Sequence, residues 1–138
     1  MIAAFLFGQL ENIDMIQSKR QYIWNRYFEA FHELETKGFL KLPQIPNYAS
    51  NNAHMFYLVL PSLEKRSQFI DFLKASGILS VFHYISLHSS PYFQGLHDNR
   101  DLIYSDIYTD RLVRLPFYFD LSDDDQSFVI QKVNSFFY

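Results

Sequence analysis

The residues best suited to chemistry lie close together, within residues 81–92. His83 and His88 are five positions apart, and Tyr84 follows the first of them, where a predicted strand ends and a loop begins. An imidazole can bind phosphate or move a proton near neutral pH, and loops beside strand ends often carry sites. Each histidine can equally be a packed side chain among aromatic neighbours. The residue types alone leave both interpretations open.

A metal centre is the next possibility in this region. Four potential ligands are present: His83, His88, His97 and Asp98. Their spacing matches no closed zinc pattern. The acidic residues at 120–125 lack the ligand alternation and central glycine of a calcium loop. Ser122 as an N-cap, with Asp125 at the capping-box position, predicts a helix start there instead.

Two arginines and a serine pair complete the candidates. Arg111 and Arg114, beside Asp110, could bind a diphosphate, and a surface ion pair is the alternative interpretation. Ser89 and its neighbour have neither a nucleophile elbow nor an evident base and acid partner. A small independent hydrolase built on one of the histidines therefore lacks a nucleophile–base–acid set.

Composition and charge exclude several classes of protein. The 138 residues predict one domain, and 49% apolar against 20% charged residues rule out disorder of the whole chain. The absence of cysteine excludes a disulfide scaffold, a thiol nucleophile and an iron–sulfur cluster, and it fits a reducing, cytoplasmic compartment. A net charge of −3 gives no electrostatic footprint for nucleic acid. No apolar run approaches the ~20 residues that span a bilayer.

Apolar spacing and turn residues predict the elements that must position these side chains. The order is one long helix or two nearly collinear helices over 2–36, a loop over 41–53, a strand over 54–60, a helix over 63–75, a strand over 78–85, an irregular stretch over 86–103, a short helix over 105–110, a strand over 112–115 and a helix from 122. Gly38 and Gly77 are candidate C-caps, and Ser62, Ser105 and Ser122 are candidate N-caps. This order predicts a two-layer α/β domain, with helices mostly on one face of a small mixed or antiparallel sheet.

The first helix is predicted to need a partner. Residues 2–7 are apolar on every side of the helix, a pattern typical of a segment that is buried all round. Several exposed phenylalanine and leucine side chains would be a liability in a small domain. The segment therefore predicts either a homodimer interface or a larger domain that precedes this one. Further along, an aromatic stripe is predicted to face the core: Trp24, Tyr27, Phe28 and Phe31.

Five segments in order carry a resemblance that covers the whole chain. They are Ala3-Ala4 with Gln9-Leu10; residues 52–57; Arg66 with Phe69-Ile70 and Phe72-Leu73; Phe82-His83-Tyr84-Ile85 with Leu87-His88; and Arg111-Leu112 with Arg114-Leu115-Pro116. Together they resemble the DegT/DnrJ/StrS-type sugar aminotransferases. The resemblance implies the small C-terminal domain of a fold-type I pyridoxal-phosphate (PLP) transferase over residues 1–138, with residues 1–36 as a connecting helix.

The resemblance also implies an activity that this chain would share with other parts of an enzyme. Family members move an amino group, usually from glutamate, onto a nucleotide-linked keto sugar, such as a dTDP-4-keto-6-deoxy sugar, with PLP as electron sink. The Schiff-base lysine would belong to a separate large domain, and the complete enzyme would be a homodimer. None of the six lysines here lies in a segment like that of the family's cofactor lysine: Lys19, Lys37, Lys41, Lys65, Lys74 and Lys132. The isolated chain is therefore expected to be inactive.

Within this domain the resemblance assigns the substrate-binding residues. His88 would reach toward the sugar or the diphosphate of the nucleotide sugar, while His83 and Tyr84 would shape the same wall of the cleft. Ser86 stands where the family usually has proline, which is expected to loosen the backbone before His88. The competing interpretation is a stand-alone interaction module that uses residues 2–7 to dimerise or to bind a partner.

Overall fold

The computed structural model describes residues 2–93 and 95–138 and has the mixed α/β architecture that the sequence predicts. Its helices are α1 (Ile2–Glu11), α2 (Ile13–Thr36), α3 (Leu63–Ala75), α4 (Ile103–Arg111) and α5 (Asp123–Phe137), and its strands are β1 (Tyr57–Val59) and β2 (Leu112–Arg114). A short 3-10 helix, Leu87–Ser89, lies between α3 and α4. The predicted N-terminal helix is divided at Asn12, so two helices rather than one occupy that region.

Two glycines end helices as predicted. Gly38 follows α2 with φ +77°, and Gly77 follows α3 with φ +78°. After α2, Gly38 N–H donates to Glu35 O at 2.9 Å and Phe39 N–H donates to Leu34 O at 3.0 Å. This pair of bonds is the Schellman motif, and its left-handed residue favours glycine because glycine has no Cβ. The sequence thus positions two helix ends by a recognisable chemical rule.

Two of the three predicted N-caps are confirmed. Ser62 accepts a hydrogen bond from Lys65 N–H at 3.1 Å. Ser122 accepts one from Asp125 N–H at 3.0 Å, and its hydroxyl donates to the Asp125 carboxylate at 2.7 Å. The third prediction, Ser105, is wrong: α4 begins two residues earlier, at Ile103, without a side-chain cap. The Ser105 hydroxyl bonds to Ser86 instead.

The sheet is smaller than the sequence predicts. β1 and β2 are antiparallel, with Tyr57 opposite Arg114, and two isolated bridges flank them: Lys41 to Val59, and Val81 to Arg114. The strand predicted over 78–85 is therefore wrong, since only Val81 pairs. The residues before Val81 would have to pair with those after Arg114. Pro116 lies there and ends the partner strand, because proline has no N–H to donate to a ladder. After Val81, the chain leaves the sheet toward α3 and α4.

The aromatic stripe of α2 forms the centre of the core. Tyr27 and Phe31 are fully buried, Trp24 is nearly so, and Phe28 is partly buried against them. Phe56, beside β1, packs on this stripe, with its ring centroid 5.2 Å from that of Tyr27. Burial raises the pKa of Tyr27, whose hydroxyl donates to Pro116 O at 3.1 Å. The predicted core stripe is confirmed.

Helix α1 contributes nothing to this core. No residue of α1 is buried, and Phe5 and Phe7 are 75% and 63% exposed. The apolar segment at residues 2–7 therefore stands uncovered along its whole length. Among the described residues, no helix combines the length and the apolar character that crossing a membrane requires.

Candidate functional site

The segment that carries the histidines is anchored at both ends. At its start, Val81 and Arg114 exchange two backbone hydrogen bonds, of 3.2 and 2.8 Å. At its end, the 3-10 helix Leu87–Ser89 closes with Ser89 N–H donating to Ser86 O at 3.1 Å. Short backbone bonds thus fix the points between which the histidine side chains project.

His88 is joined to helix α4. Its Nε2 lies 2.9 Å from Oδ1 of Asp106, and the His88 side chain is 16% exposed. The ring of His97 lies beside it, with ring centroids 5.2 Å apart. Asp106 is not among the sequence candidates, because it is 18 residues from His88 and only the packing of α4 brings the two together. The fold therefore places a carboxylate against a ring nitrogen of His88 and the ring of His97 beside that of His88.

His83 and Tyr84 form a separate part of the same segment. Their rings are in contact, with centroids 4.5 Å apart and planes inclined at 40°. The Tyr84 side chain is 72% exposed, whereas Nδ1 of His83 is buried and has no hydrogen-bond partner in the described part of the chain. Within residues 2–93 and 95–138, no ring contact joins His83 to His88. The structure thus offers an exposed phenol at one position and an imidazole–carboxylate pair at the other.

Ser86 is hydrogen-bonded to two residues of α4. Its side chain is buried, and its hydroxyl bonds to that of Thr109. Ser105 adds a second contact, since its hydroxyl donates to the Ser86 hydroxyl at 3.3 Å. Hydrogen bonds from one turn of helix replace the rigidity that a proline ring would supply. These bonds oppose the loosening that the sequence predicts before His88, which stays a prediction.

Arg66 links α3 to the same region. Its Nη1 donates to Thr109 O at 2.8 Å, and its guanidinium lies 4.4 Å from the centroid of the Phe82 ring. A buried guanidinium that bonds a carbonyl and lies over an aromatic face restrains both partners. Arg66 therefore ties α3, α4 and the start of the histidine segment into one unit.

The metal site and the arginine–aspartate ion pair considered from the sequence do not form in the described residues. In the described residues, no three metal-ligating side chains form a group, and His97 Nε2 lies 3.6 Å from Asp98 Oδ1. Neither Arg111 nor Arg114 forms an ion pair with Asp110 within those residues, so the predicted surface pair is absent there. Arg111 instead lines a groove of about 720 Å³, together with residues that include Lys41, Tyr57 and Tyr108.

The lysines do not fit a Schiff-base site for PLP. Such a lysine must sit in a desolvated pocket among phosphate-binding groups. Here Lys41, Lys65 and Lys74 are exposed. The other three make surface contacts: Lys37 with Glu33 and Tyr138, Lys19 with Asp123, and Lys132 over the ring of Phe128. None of the six lysines therefore has the surroundings that a Schiff-base lysine needs.

Known proteins resemble this chain over nearly its whole length. The family model of the DegT/DnrJ/EryC1/StrS aminotransferases matches residues 1–134. The spore coat polysaccharide biosynthesis protein SpsC of Bacillus subtilis is 29% identical over 137 residues, which are 95% of this chain and 34% of that protein.

Solved structures show the same fold. A DegT DnrJ EryC1 StrS aminotransferase from Brucella abortus is 27% identical, with a TM-score of 0.80 over 97% of this chain and 34% of that one. DesV of S. venezuelae, solved in complex with a ketimine intermediate, is 22% identical, with a TM-score of 0.84 over 97% of this chain and 35% of its own. The chain thus spans about a third of the length of the proteins that it matches.

Proposed function

We propose that this chain, which belongs to the DegT/DnrJ/EryC1/StrS aminotransferase family, acts as the small C-terminal domain of a PLP-dependent sugar aminotransferase. The observation that carries the proposal is the uncovered helix α1, on a chain that spans a third of its relatives' length. An apolar helix end with no buried residue is what a connecting helix leaves when its partner is a large, PLP-binding domain. That domain would supply the Schiff-base lysine.

The role proposed for this chain is to bind the nucleotide sugar and to close the substrate cleft. His88, His83 and Tyr84 would line the wall that faces the substrate, a dTDP-4-keto-6-deoxy sugar that receives its amino group from glutamate. The exposed Tyr84 hydroxyl and the His88 imidazole provide polar groups of the kind that bind sugar and diphosphate oxygens. In the complete enzyme, assembled as a homodimer, these groups would bind substrate while the lysine-bearing domain performs the chemistry.

The test of this role is His88→Ala in the complete enzyme. Loss of one hydrogen bond to a polar substrate is worth about 1.5 kcal/mol, which corresponds to about a tenfold fall in kcat/KM for the nucleotide sugar. PLP absorbance should not change, because His88 lies on a domain that does not hold the cofactor. His32→Ala, on the exposed face of α2, is the matched control and should leave both measurements unchanged. Unchanged steady-state kinetics for His88→Ala would contradict the role.

The second candidate function is a stand-alone interaction module. It is favoured by the same exposure of α1, which would serve as a dimer or partner surface. The two functions differ in the size of the native polypeptide, measured by immunoblotting of source cells with an antibody to this domain. A band much larger than 16.5 kDa supports the aminotransferase domain. A band at 16.5 kDa, with no separately encoded PLP-binding partner recovered, supports the module.

A further inference from the structure

The contact between His88 and Asp106 joins a ring nitrogen to a carboxylate oxygen. The two atoms, Nε2 and Oδ1, are 2.9 Å apart. An ionised carboxylate has only acceptor oxygens, so an unprotonated Nε2 would face it lone pair to lone pair. The contact is favourable only when Nε2 carries the hydrogen. The second ring nitrogen, Nδ1, makes no hydrogen bond within residues 2–93 and 95–138.

We propose that Asp106 is a positioning residue that keeps the proton of His88 on Nε2 and so presents Nδ1 to a hydroxyl group of the sugar. This inference rests on the substrate-binding role proposed for His88. A hydroxyl both donates and accepts, so it pairs with Nδ1 whether the ring is neutral or protonated. A phosphate oxygen at neutral pH only accepts and would pair only with the protonated ring. The geometry therefore favours the sugar over the diphosphate.

Helix α4 is built to hold Asp106 in place. Ser105 and Thr109, on the same helix, bond to the buried Ser86 two residues before His88. Arg66 fixes the Thr109 carbonyl from α3. Because these contacts fix α4 against the histidine segment, the Asp106 carboxylate is placed beside Nε2 although its own side chain is 52% exposed. Orientation by a fixed carboxylate is the common way in which proteins choose between the two imidazole nitrogens.

The charged groups around His88 also supply the control. His97 lies against the ring of His88, and Asp98 lies 3.6 Å from His97 Nε2 and 3.5 Å from Arg100 Nε. Asp98 is thus an acidic residue of the same neighbourhood that is paired with His97 and Arg100. Asp98→Ala changes the local charge as Asp106→Ala does, but it should leave His88 unaffected.

The first experiment is ¹⁵N NMR of the histidine rings in the 138-residue chain, with His88 assigned by His88→Gln. The neutral ring of His88 should be the Nε2–H tautomer in the unsubstituted chain and in Asp98→Ala. Asp106→Ala should convert it to a mixture of tautomers, and Asp106→Glu should restore the Nε2–H form at least in part. A Nδ1–H tautomer in the unsubstituted chain, or no change in Asp106→Ala, would overturn the proposal.

The second experiment is a double-mutant cycle in the complete enzyme, which does not depend on how the isolated chain folds. Asp106→Ala should raise KM for the nucleotide sugar about tenfold on its own and have no further effect in the His88→Ala background, because it acts through His88. Additive effects would overturn the proposal. If His88→Ala itself leaves KM unchanged, the substrate role fails, while the tautomer measurement still decides whether Asp106 orients the ring.

Discussion

Ser86 has the backbone conformation of a proline. Its φ is −57° and its ψ is 140°, which lie in the range that a pyrrolidine ring imposes. In the described residues its N–H donates to no backbone carbonyl. The backbone before His88 therefore already follows a path that a proline ring would accept. Its restraint comes from a hydroxyl that bonds to Ser105 and Thr109 rather than from a covalent ring.

The backbone conformation and the hydroxyl bonds of Ser86 together predict which of two substitutions there is the more stable. Ser86→Ala loses the buried hydroxyl bonds and should lower the free energy of unfolding by about 1–2 kcal/mol. Ser86→Pro loses the same bonds but restricts the unfolded chain, which returns about 0.4–1 kcal/mol. Urea unfolding should therefore find the proline variant more stable than the alanine variant. Ser50→Ala, at an exposed loop position, is the control and should be neutral. A proline variant that is less stable than the alanine variant would show that the backbone at Ser86 cannot accept the ring.

At the scale of single residues, the sequence predicts which side chains could bind a substrate or move a proton. It does not predict which of them are in contact in the folded chain. His83, His88 and Tyr84 are visible as candidates because of their type and position. Asp106 is not, since an aspartate within a helix is ordinarily a solvated surface group. Its contact with His88 depends on how α4 packs, and that packing depends on Ser86, Thr109 and Arg66. The position of Asp106 beside His88 thus depends on tertiary packing, which no local sequence pattern predicts.

At the scale of elements, helix ends are predictable and the sheet is less so. Gly38, Gly77, Ser62 and Ser122 mark helix ends through local hydrogen bonds, which depend only on neighbours within a few residues. The strand predicted over 78–85 fails because a ladder needs a partner of matching length. β2 is three residues long, begins directly after α4 and is followed by Pro116 after one further residue. Alternating burial at 78–80 then arises from packing rather than from strand pairing.

The left-handed cap at Gly77 should be costly to replace. Gly77→Ala places a Cβ on a residue with φ +78°, which costs about 1–2 kcal/mol for an L-residue. Nothing lies within 4 Å of that Cβ, so the loss is conformational and not a clash. Gly8→Ala is the matched control, because Gly8 is in the interior of α1 and also has free space. Thermal unfolding should show a lower melting temperature for Gly77→Ala and no decrease in melting temperature for Gly8→Ala. Equal effects of the two would mean that the backbone conformation at Gly77 is not the cause.

At the scale of the whole molecule, the chain divides into a packed body and an uncovered helix. Helices α2, α3 and α5 enclose the aromatic core, whereas α1 has no buried residue. The sequence predicts this division, because a segment that is apolar on every side needs cover on every side and a small domain has little protein to supply it. It predicts that a partner exists without identifying it, since a large domain and a second copy would bury the same side chains.

Removing the two α1 phenylalanines should therefore change how the isolated chain associates. Burial of a phenylalanine side chain is worth about 1.5–3 kcal/mol, and Phe5 and Phe7 are both more than half exposed. The unsubstituted 138-residue chain should self-associate in static light scattering, and the double variant with Phe5→Ser and Phe7→Ser should scatter as a monomer. Tyr48→Ser, at an aromatic side chain that is 92% exposed outside α1, is the control and should not alter the mass. If the double variant associates as strongly as the unsubstituted chain, α1 is not the contact surface, and both functions proposed through it lose their support.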